Sequence, residues 1–212
     1  MPLPATRALR SDGIRSRDTI LRAAASFASV HGLEELSLGG LADSVGMSKS
    51  GLYAHFGSKE ELQLATVEAA RAVFTDVVLD PADAYPRGVQ GLVAMADAFC
   101  EHIRDRVFPG GCFFDSTAVD VASHPGPVRE AVMQVRADWV GRIREQLGVA
   151  RERGELEPDV DLEQLEFELL AFQNLAHSVF RINGDERVID RAERAVRLRL
   201  GLSPDYRPVR RR

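Results

Sequence analysis

The stretch that decides the fold is residues 37–56, SLGGLADSVGMSKSGLYAHF. Its apolar spacing predicts a helix over residues 38–45, capped by Ser37 and ended by Gly46, and a second helix over residues 48–56. Two short helices joined by such a tight turn form a helix-turn-helix. In this motif the second helix lies in the major groove of DNA.

The second helix has one buried side and a small, uncharged surface. On a helical wheel Leu52 and Phe56 lie together and face the core, while the opposite side carries short side chains. No acidic residue occurs between Asp43 and Glu60, so this surface suits a polyanion. The candidate DNA-contacting residues are Ser37, Ser48, Lys49, Ser50, Gly51, Tyr53, Ala54, His55 and Lys59.

The only two lysines of the chain, Lys49 and Lys59, stand close to the ends of this second helix. Every other basic residue is an arginine. Lys59 also stands at the start of the next helix, which residues 58–61 (SKEE) cap and whose free N–H groups favour an anion. We therefore expect the two lysines to hold the DNA backbone from both ends of the recognition helix.

Spacing alone leaves a structural role open for the same residues. Helix-turn-helix geometry also occurs in proteins that never contact DNA, and Ser48 could be only a cap and Tyr53 only a half-buried aromatic residue. A rival function from another class is then an all-α enzyme or small-molecule carrier. Salt-dependent, sequence-selective retention of DNA in a gel-shift assay separates the two functions.

Composition favours a globular protein with a nucleic-acid-facing N-terminal part. The chain has 212 residues, 45% hydrophobic and 28% charged, and a net charge of −5. Residues 1–59 have a balance of +2 and the remainder a balance of −7. The apolar runs are far shorter than the ~20 residues of a membrane span. Because the start of the chain lacks the apolar stretch of a signal peptide, we expect a cytoplasmic protein with reduced, buried Cys100 and Cys112.

Helical periodicity continues to the end of the chain and predicts an all-α fold. The expected helices cover residues 15–30, 38–45, 48–56, 58–79, 87–106, 112–123, 128–153, 161–182 and 185–200. These helices divide into an N-terminal three-helix domain over residues 14–60, with its motif at 37–56, and a helical domain over residues 61–202. Residues 203–212 are expected to form a flexible basic tail.

The expected helix over residues 161–182 is too apolar to have a single buried face. Between Leu165 and Phe180 ten of sixteen residues are apolar. One apolar stripe of this helix can therefore pack on its own domain, and we expect a second stripe to pack against a partner subunit. The candidate dimer-interface residues are Phe167, Leu170, Ala171, Val188, Ala192 and Val196. The alternative, in which one chain covers both stripes, stays open.

A run of about 50 residues resembles the DNA-binding domain of TetR-family (tetracycline-repressor-like) bacterial transcription regulators. It consists of Ile20-Leu21, Ala24, Phe27, Leu41-Ala42 and residues 46–62, GMSKSGLYAHFGSKEEL. The resemblance implies a homodimer whose first three helices bind double-stranded, palindromic operator DNA. It also implies a fourth helix that connects to a variable C-terminal domain for a small-molecule inducer.

Individual residues carry over from this resemblance. Ser37, Ser48, Lys49, Tyr53, His55 and Lys59 match positions that touch phosphates, and Ser50, Gly51 and Ala54 match positions nearer the base edges. The sequence departs from the usual pattern, which has glycine before a polar or β-branched residue where Ser50-Gly51 stand, and a bulkier side chain than Ala54. Thymine-methyl contact and DNA shape would then contribute more of the specificity.

The ligand-binding site is less clearly marked. Aromatic residues with a few polar groups suit a small-molecule pocket, although each could equally belong to the core. The candidates are Phe99, His102, Phe113, Trp139, Asn174 and His177. Neither metal-ligand spacing nor a catalytic or cofactor-binding motif is present in the sequence, so we expect no metal, cofactor or enzymatic activity. We expect a ligand-responsive dimeric repressor, with a constitutive or activating regulator as the alternative.

Overall fold

The computed structural model describes the backbone of residues 6–211 and the side chains of residues 17–211. The described backbone is helical and has no strand, which confirms the all-α fold. Its helices are α1 (Thr6–His31), α2 (Leu38–Val45), α3 (Lys49–Phe56), α4 (Lys59–Phe74), α5 (Asp80–Asp83), α6 (Val89–Arg104), α7 (Phe113–Val121), α8 (Pro127–Glu152), α9 (Leu162–Asn183) and α10 (Arg187–Arg199). None of the described helices is long and apolar enough to cross a membrane.

Serine side chains begin three consecutive helices near the N-terminus. The Ser37 Oγ accepts a hydrogen bond from a backbone N–H in the first turn of α2, at 3.2 Å. Ser48 does the same for α3 and Ser58 for α4, each at 3.1 Å. Between α2 and α3, Gly46 adopts a φ of +67°, which costs glycine little and other residues more. Local sequence therefore accounts for where these short helices begin and for the turn between them.

Two hydrophobic clusters hold the helices together. The first begins in α1 and continues through α2, α3 and α4 into α6, α7, the first half of α8, the second half of α9 and the first half of α10. The second joins α6, the second half of α8, α9 and α10. The change in charge balance near residue 60 is therefore not a boundary in packing, because α4 and α1 both pack against the C-terminal helices.

The helix predicted over residues 58–79 is interrupted. Regular α4 ends at Phe74, and a π-helical turn, Thr75–Leu79, leads into the short α5. Pro81 lies in the first turn of α5, where its missing N–H does not cost an intrahelical hydrogen bond. The wider π-helical turn rotates the side chains that follow Phe74 relative to those before it, while the backbone stays helical as far as Pro81.

The flexible tail expected from residue 203 onward is wrong for the described residues 203–211. Leu202 and Tyr206 pack against the second hydrophobic cluster. The Val209 N–H donates to Gln90 Oε1, and the Arg211 N–H donates to the Ala84 carbonyl, both at 2.9 Å. The sequence shows no helical period here, so an extended segment held by tertiary contacts has no local signature.

Arg197 on α10 organises this end of the molecule, and its side chain is 2% exposed. Its guanidinium donates to Asp97 Oδ2 on α6 at 2.6 Å and to the Tyr206 carbonyl of the tail at 2.8 Å. Because Asp97 is itself largely enclosed, removing the cation would leave an uncompensated buried carboxylate.

We expect Arg197→Leu to lower the free energy of unfolding by about 3 kcal/mol, because an unpaired buried charge costs roughly that much. Urea denaturation followed by circular dichroism measures the change. The matched control is Arg187→Leu, which removes an exposed arginine from the same helix, and it should leave the midpoint nearly unchanged. Equal effects of the two variants would contradict the role assigned to Arg197.

Candidate nucleic-acid interface and ligand cavity

Helix α3 turns its apolar side inward and its candidate residues outward. Leu52 and Phe56 are buried, as expected for the core side. Seven candidates are exposed, namely Ser37, Ser48, Lys49, Ser50, Tyr53, Ala54 and Lys59. Gly51 and His55 are half-buried. Most of the candidate residues therefore lie exposed on α3 or beside its two ends.

The two lysines differ in their environment. The Lys59 ammonium donates to the Glu34 carbonyl at 2.7 Å and to Glu34 Oε2 at 3.2 Å. Among the residues whose side chains are described, the Lys49 ammonium has no such partner, and its chain lies beside Gly39 at the start of α2. The phosphate contacts of both lysines stay a prediction, and in the DNA-free protein Lys59 neutralises the Glu34 carboxylate.

Arg17 positions the far end of α3, a role that the sequence reading missed. Its guanidinium donates to the His55 carbonyl at 2.6 Å and lies 4.4 Å from the centroid of the Phe56 ring. The last carbonyls of a helix have no intrahelical donor, so a cation from α1 satisfies one of them. No local pattern links residues 38 positions apart, so only the tertiary fold reveals this contact.

A cavity of about 70 Å³ lies where α4, α6, α7, α8 and α9 meet. Its lining residues are Phe74, Phe99, Cys112, Phe114, Asp115, Val135, Arg136, Trp139, Val140, Leu170, Gln173 and Asn174. Of the candidate pocket residues, Phe99, Trp139 and Asn174 lie in this wall. Leu170, which was expected at a dimer interface, also lines the cavity.

The other three candidate pocket residues lie in the core instead. His102 is 2% exposed and packs against the rings of Phe74 and Phe108. Phe113 is fully buried, and the His177 Nε2 is 3.3 Å from the Gly110 carbonyl. Their aromatic character fits both a pocket and a core, which is why the sequence could not separate them.

The cavity also contains polar groups that the sequence reading did not single out. Arg136 on α8 forms an ion pair with Asp115 on α7, so the two charges cancel. Gln173 interrupts the buried stripe of α9 four residues after Leu169. A polar residue at a core position of an amphipathic helix is the signal that could have found it. The residues with described side chains include no cluster of His, Cys, Asp and Glu that could hold a metal ion.

The proposed dimer-interface residues are divided by the structure. Phe167 is 66% exposed, and Leu170, Ala171 and Val188 are half-buried. Ala192 and Val196, in contrast, are buried inside the chain's own core because α10 turns them toward its neighbours, so they cannot form an outer face. Leu175 and Ile182 on α9 are exposed in addition to Phe167.

Comparison with known proteins supplies two family matches that together cover most of the chain. Residues 20–66 match the model described as bacterial regulatory proteins, tetR family. Residues 88–196 match the model described as tetracyclin repressor-like, C-terminal domain. No curated protein matches the chain in a sequence search.

Solved structures show the same fold. A TetR transcriptional regulator from Chloroflexus aurantiacus J-10-FL is 25% identical with a TM-score of 0.79, and the match covers 88% of this chain and 94% of that one. AibR, solved with isovaleryl coenzyme A and operator DNA, is 22% identical over 90% and 99% of the two chains, with a TM-score of 0.69. The ketosteroid regulator KstR2 of Mycobacterium tuberculosis is 20% identical over 88% and 93%, with a TM-score of 0.68.

The buried His102 makes the stability of the domain depend on pH. Burial lowers the pKa of its imidazole from the usual 6.5 to about 4, with a further lowering by His177 and an opposing effect of Asp105. The unfolded chain binds a proton below about pH 6.5 and native His102 does not, so its contribution is complete above pH 6.5 and is lost as the pH falls to about 4.

From pH 7 to pH 5 we expect His102 to reduce the free energy of unfolding by about 2 kcal/mol. His102→Phe should remove this share of the pH dependence, because phenylalanine fills the site without titrating. Urea unfolding at pH 7, 6 and 5 measures it, with exposed His124→Phe as the control. An unchanged pH dependence in the His102 variant would show that other groups produce it.

Proposed function

Because the chain belongs to the TetR family of bacterial DNA-binding transcriptional regulators, a family of regulators and not of enzymes, we propose that it acts as a homodimeric repressor that a small molecule releases from its operator. The observation that carries this proposal is the position of Phe74. This residue ends α4, the helix that begins directly behind the recognition helix, and its ring forms part of the cavity wall.

The DNA-reading surface is α3 with the N-termini of its neighbours. In this proposal Ser50, Gly51 and Ala54 approach the base edges, and the phosphate contacts come from Ser37, Ser48, Lys49, Tyr53, His55 and Lys59. The serine side chains are engaged as helix caps, so their contribution is to place helix N-termini at the DNA backbone. In this proposal Lys59 releases the Glu34 carboxylate and binds a DNA phosphate in its place.

The small groove-facing surface has a consequence for specificity. Ser50 brings one hydroxyl and Ala54 one methyl group, and neither offers the bidentate hydrogen bonds by which arginine or asparagine read a base. The proposed operator is therefore recognised in large part through thymine methyl groups and through the shape of the duplex.

Residues 14–60 form the DNA-binding part of this proposal, and residues 61–202 form the ligand-binding and dimerisation part.

The support for a dimer is an apolar stripe on α9. Phe167, Leu175 and Ile182 are 66%, 62% and 78% exposed, and their spacing of eight and seven residues places them on one side of the helix. A large apolar stripe of this kind is typical of a subunit interface.

Two routes connect the cavity to the DNA-binding helices. The first is α4 with Phe74. The second is α7, whose Phe114 and Asp115 line the cavity while Asp120, near its other end, accepts a hydrogen bond from the Glu34 N–H at 3.1 Å. A ligand that shifts either helix changes the separation of the two recognition helices in a dimer, and half-sites about 34–36 Å apart tolerate little change.

The free-energy difference that a ligand must supply to release the operator is modest. A ligand that favours the wrong separation by about 3 kcal/mol lowers operator affinity about a hundredfold. Linkage is reciprocal, so the operator weakens ligand binding by the same factor. A gel-shift assay against genomic fragments, at two salt concentrations, tests the DNA-binding part of the proposal, since a regulator retains selected fragments in a salt-dependent way.

For DNA binding, we expect Lys49→Ala to weaken binding to all sequences about equally and to reduce the slope of log affinity against log salt by about one. The reason is the loss of one phosphate contact and its released counterion. Tyr53→Phe should cost about 1 kcal/mol if its hydroxyl meets a phosphate. The control is Arg151→Ala, which removes an exposed cation from α8. Full affinity and slope in Lys49→Ala would contradict the phosphate contact.

For assembly, we expect Phe167→Arg and Leu175→Arg to give folded monomers, because a charge inside an apolar interface has no partner. Multi-angle light scattering measures the mass, and circular dichroism confirms the helical content. The matched control is Val119→Arg, which alters an 80% exposed valine on α7, away from the stripe on α9. A dimer that persists in both α9 variants would place the interface elsewhere.

A further inference from the structure

Gln173 presents its side-chain amide to the cavity, and no residue with a described side chain hydrogen-bonds to it. It is 5% exposed, lines the cavity and lies in the core stripe of α9. Within the part of the chain whose side chains are described, its amide makes no hydrogen bond. The two other buried glutamines with described side chains each make one hydrogen bond, since Gln63 donates to the Leu33 carbonyl at 2.6 Å and Gln146 accepts from the Gly88 N–H at 2.8 Å.

The amide therefore remains available to hydrogen-bond with whatever occupies the cavity. A leucine of similar size would fill the stripe without needing such a partner. An unpaired donor and acceptor at a cavity wall are therefore suited to an occupant that has one of each.

The other residues of the cavity wall indicate the shape and polarity that the rest of such a ligand should have. The rings of Phe74 and Trp139 meet edge-on with centroids 5.5 Å apart, and Phe99 stacks on Trp139 at 6.0 Å. Flat aromatic faces and edges of this kind favour a planar aromatic guest. Among the described residues of the wall, the charged ones are Asp115 and Arg136, and they neutralise each other. A charged guest would have to give up its hydration without gaining a free counter-charge.

The cavity needs a movement of its wall before it can hold an organic molecule. Its volume of about 70 Å³ is about half of the roughly 150 Å³ apolar cavity that holds benzene in a comparable case. Phe74, Val135 and Trp139 separate the cavity from a surface groove between the end of α4 and α8. The charges of that groove are also paired, for example Arg71 with Asp138 at 3.8 Å.

We propose that the inducer is an uncharged molecule built on a small aromatic ring with one hydroxyl or amide group, and that this group hydrogen-bonds to the Gln173 amide. The assignment rests on the proposed function and specifies its ligand class. The guest enters from the groove by displacing Phe74 and Trp139, which moves the end of α4. An acyl coenzyme A, such as the isovaleryl coenzyme A bound to AibR, differs in class because its phosphates need uncompensated cations.

Isothermal titration calorimetry of the DNA-free protein tests this proposal with three matched probes, 4-ethylphenol, ethylbenzene and 4-ethylbenzoate. We expect 4-ethylphenol to bind about tenfold more tightly than ethylbenzene, the gain of one hydrogen bond. The anionic 4-ethylbenzoate should bind at least about tenfold more weakly than 4-ethylphenol, because the described cavity wall has no unpaired cation to bind its carboxylate.

The variant Gln173→Leu should abolish the preference for 4-ethylphenol over ethylbenzene while it keeps the melting temperature near that of the unaltered protein, since leucine suits the buried stripe of α9 and no hydrogen bond to a described residue is lost. The control is Gln164→Leu, which replaces an exposed glutamine of α9 that pairs with Glu168 and should preserve the preference. If Gln173→Leu does not fold, Gln173→Met replaces it, and the three-probe comparison on the unaltered protein decides independently.

The proposal is overturned if no probe binds, if 4-ethylphenol and ethylbenzene bind equally, if 4-ethylbenzoate binds most tightly, or if Gln173→Leu retains the preference. Each of these results concerns the DNA-free protein alone. Failure of the proposed function would instead appear as a lack of selective DNA retention in the gel-shift assay, whatever the probes do. The two failures are therefore distinguishable.

Discussion

The burial of α4 against both ends of the molecule is the interaction on which the rest of the structure depends. Leu62, Val67, Ala70 and Phe74 are each at most 5% exposed, and all four belong to the cluster that starts in α1 and reaches α8. Full burial of a large apolar side chain contributes about 1.5–3 kcal/mol, whereas an exposed ion pair contributes about 0–1 kcal/mol. Packing, more than surface charge, therefore couples the recognition helix to the cavity.

A second connection reinforces this coupling at the end of α1. Gly110, in the turn before α7, approaches α1 so closely that a Cβ atom there would lie 1.9 Å from the Ser29 carbonyl oxygen. Its N–H donates to Ser29 Oγ at 3.0 Å, and Arg181 on α9 donates to the Val30 carbonyl at 3.0 Å. The C-terminal helices thus contact both α1 and α4, and the proposed effect of a ligand has two paths to the DNA-binding helices.

The polar groups in the core differ in how well their hydrogen-bonding atoms are paired. His102 has no partner for either ring nitrogen, and Gln173 has none for its amide in the described structure, yet both occupy sites that an apolar residue would fill. Arg197, equally buried, satisfies its donors with Asp97 and backbone carbonyls. Buried polar groups are normally paired, as Arg197 is; of His102 and Gln173, it is Gln173 that lines the cavity and can pair with a ligand there.

The sequence by itself determined most of the helices, the serine caps of α2, α3 and α4 and the outward face of α3, because these depend on neighbours within about four residues along the chain. Ser48 caps α3 through the N–H of Gly51, three residues along the chain, and the spacing of Leu52 and Phe56 places both on one side of the helix. Only the tertiary structure decided that Lys59 meets Glu34, that Ala192 faces the core and that Gln173 faces a cavity. The periodicity of a helix fixes which residues share a face, but the partner of that face is set by packing between segments far apart in sequence.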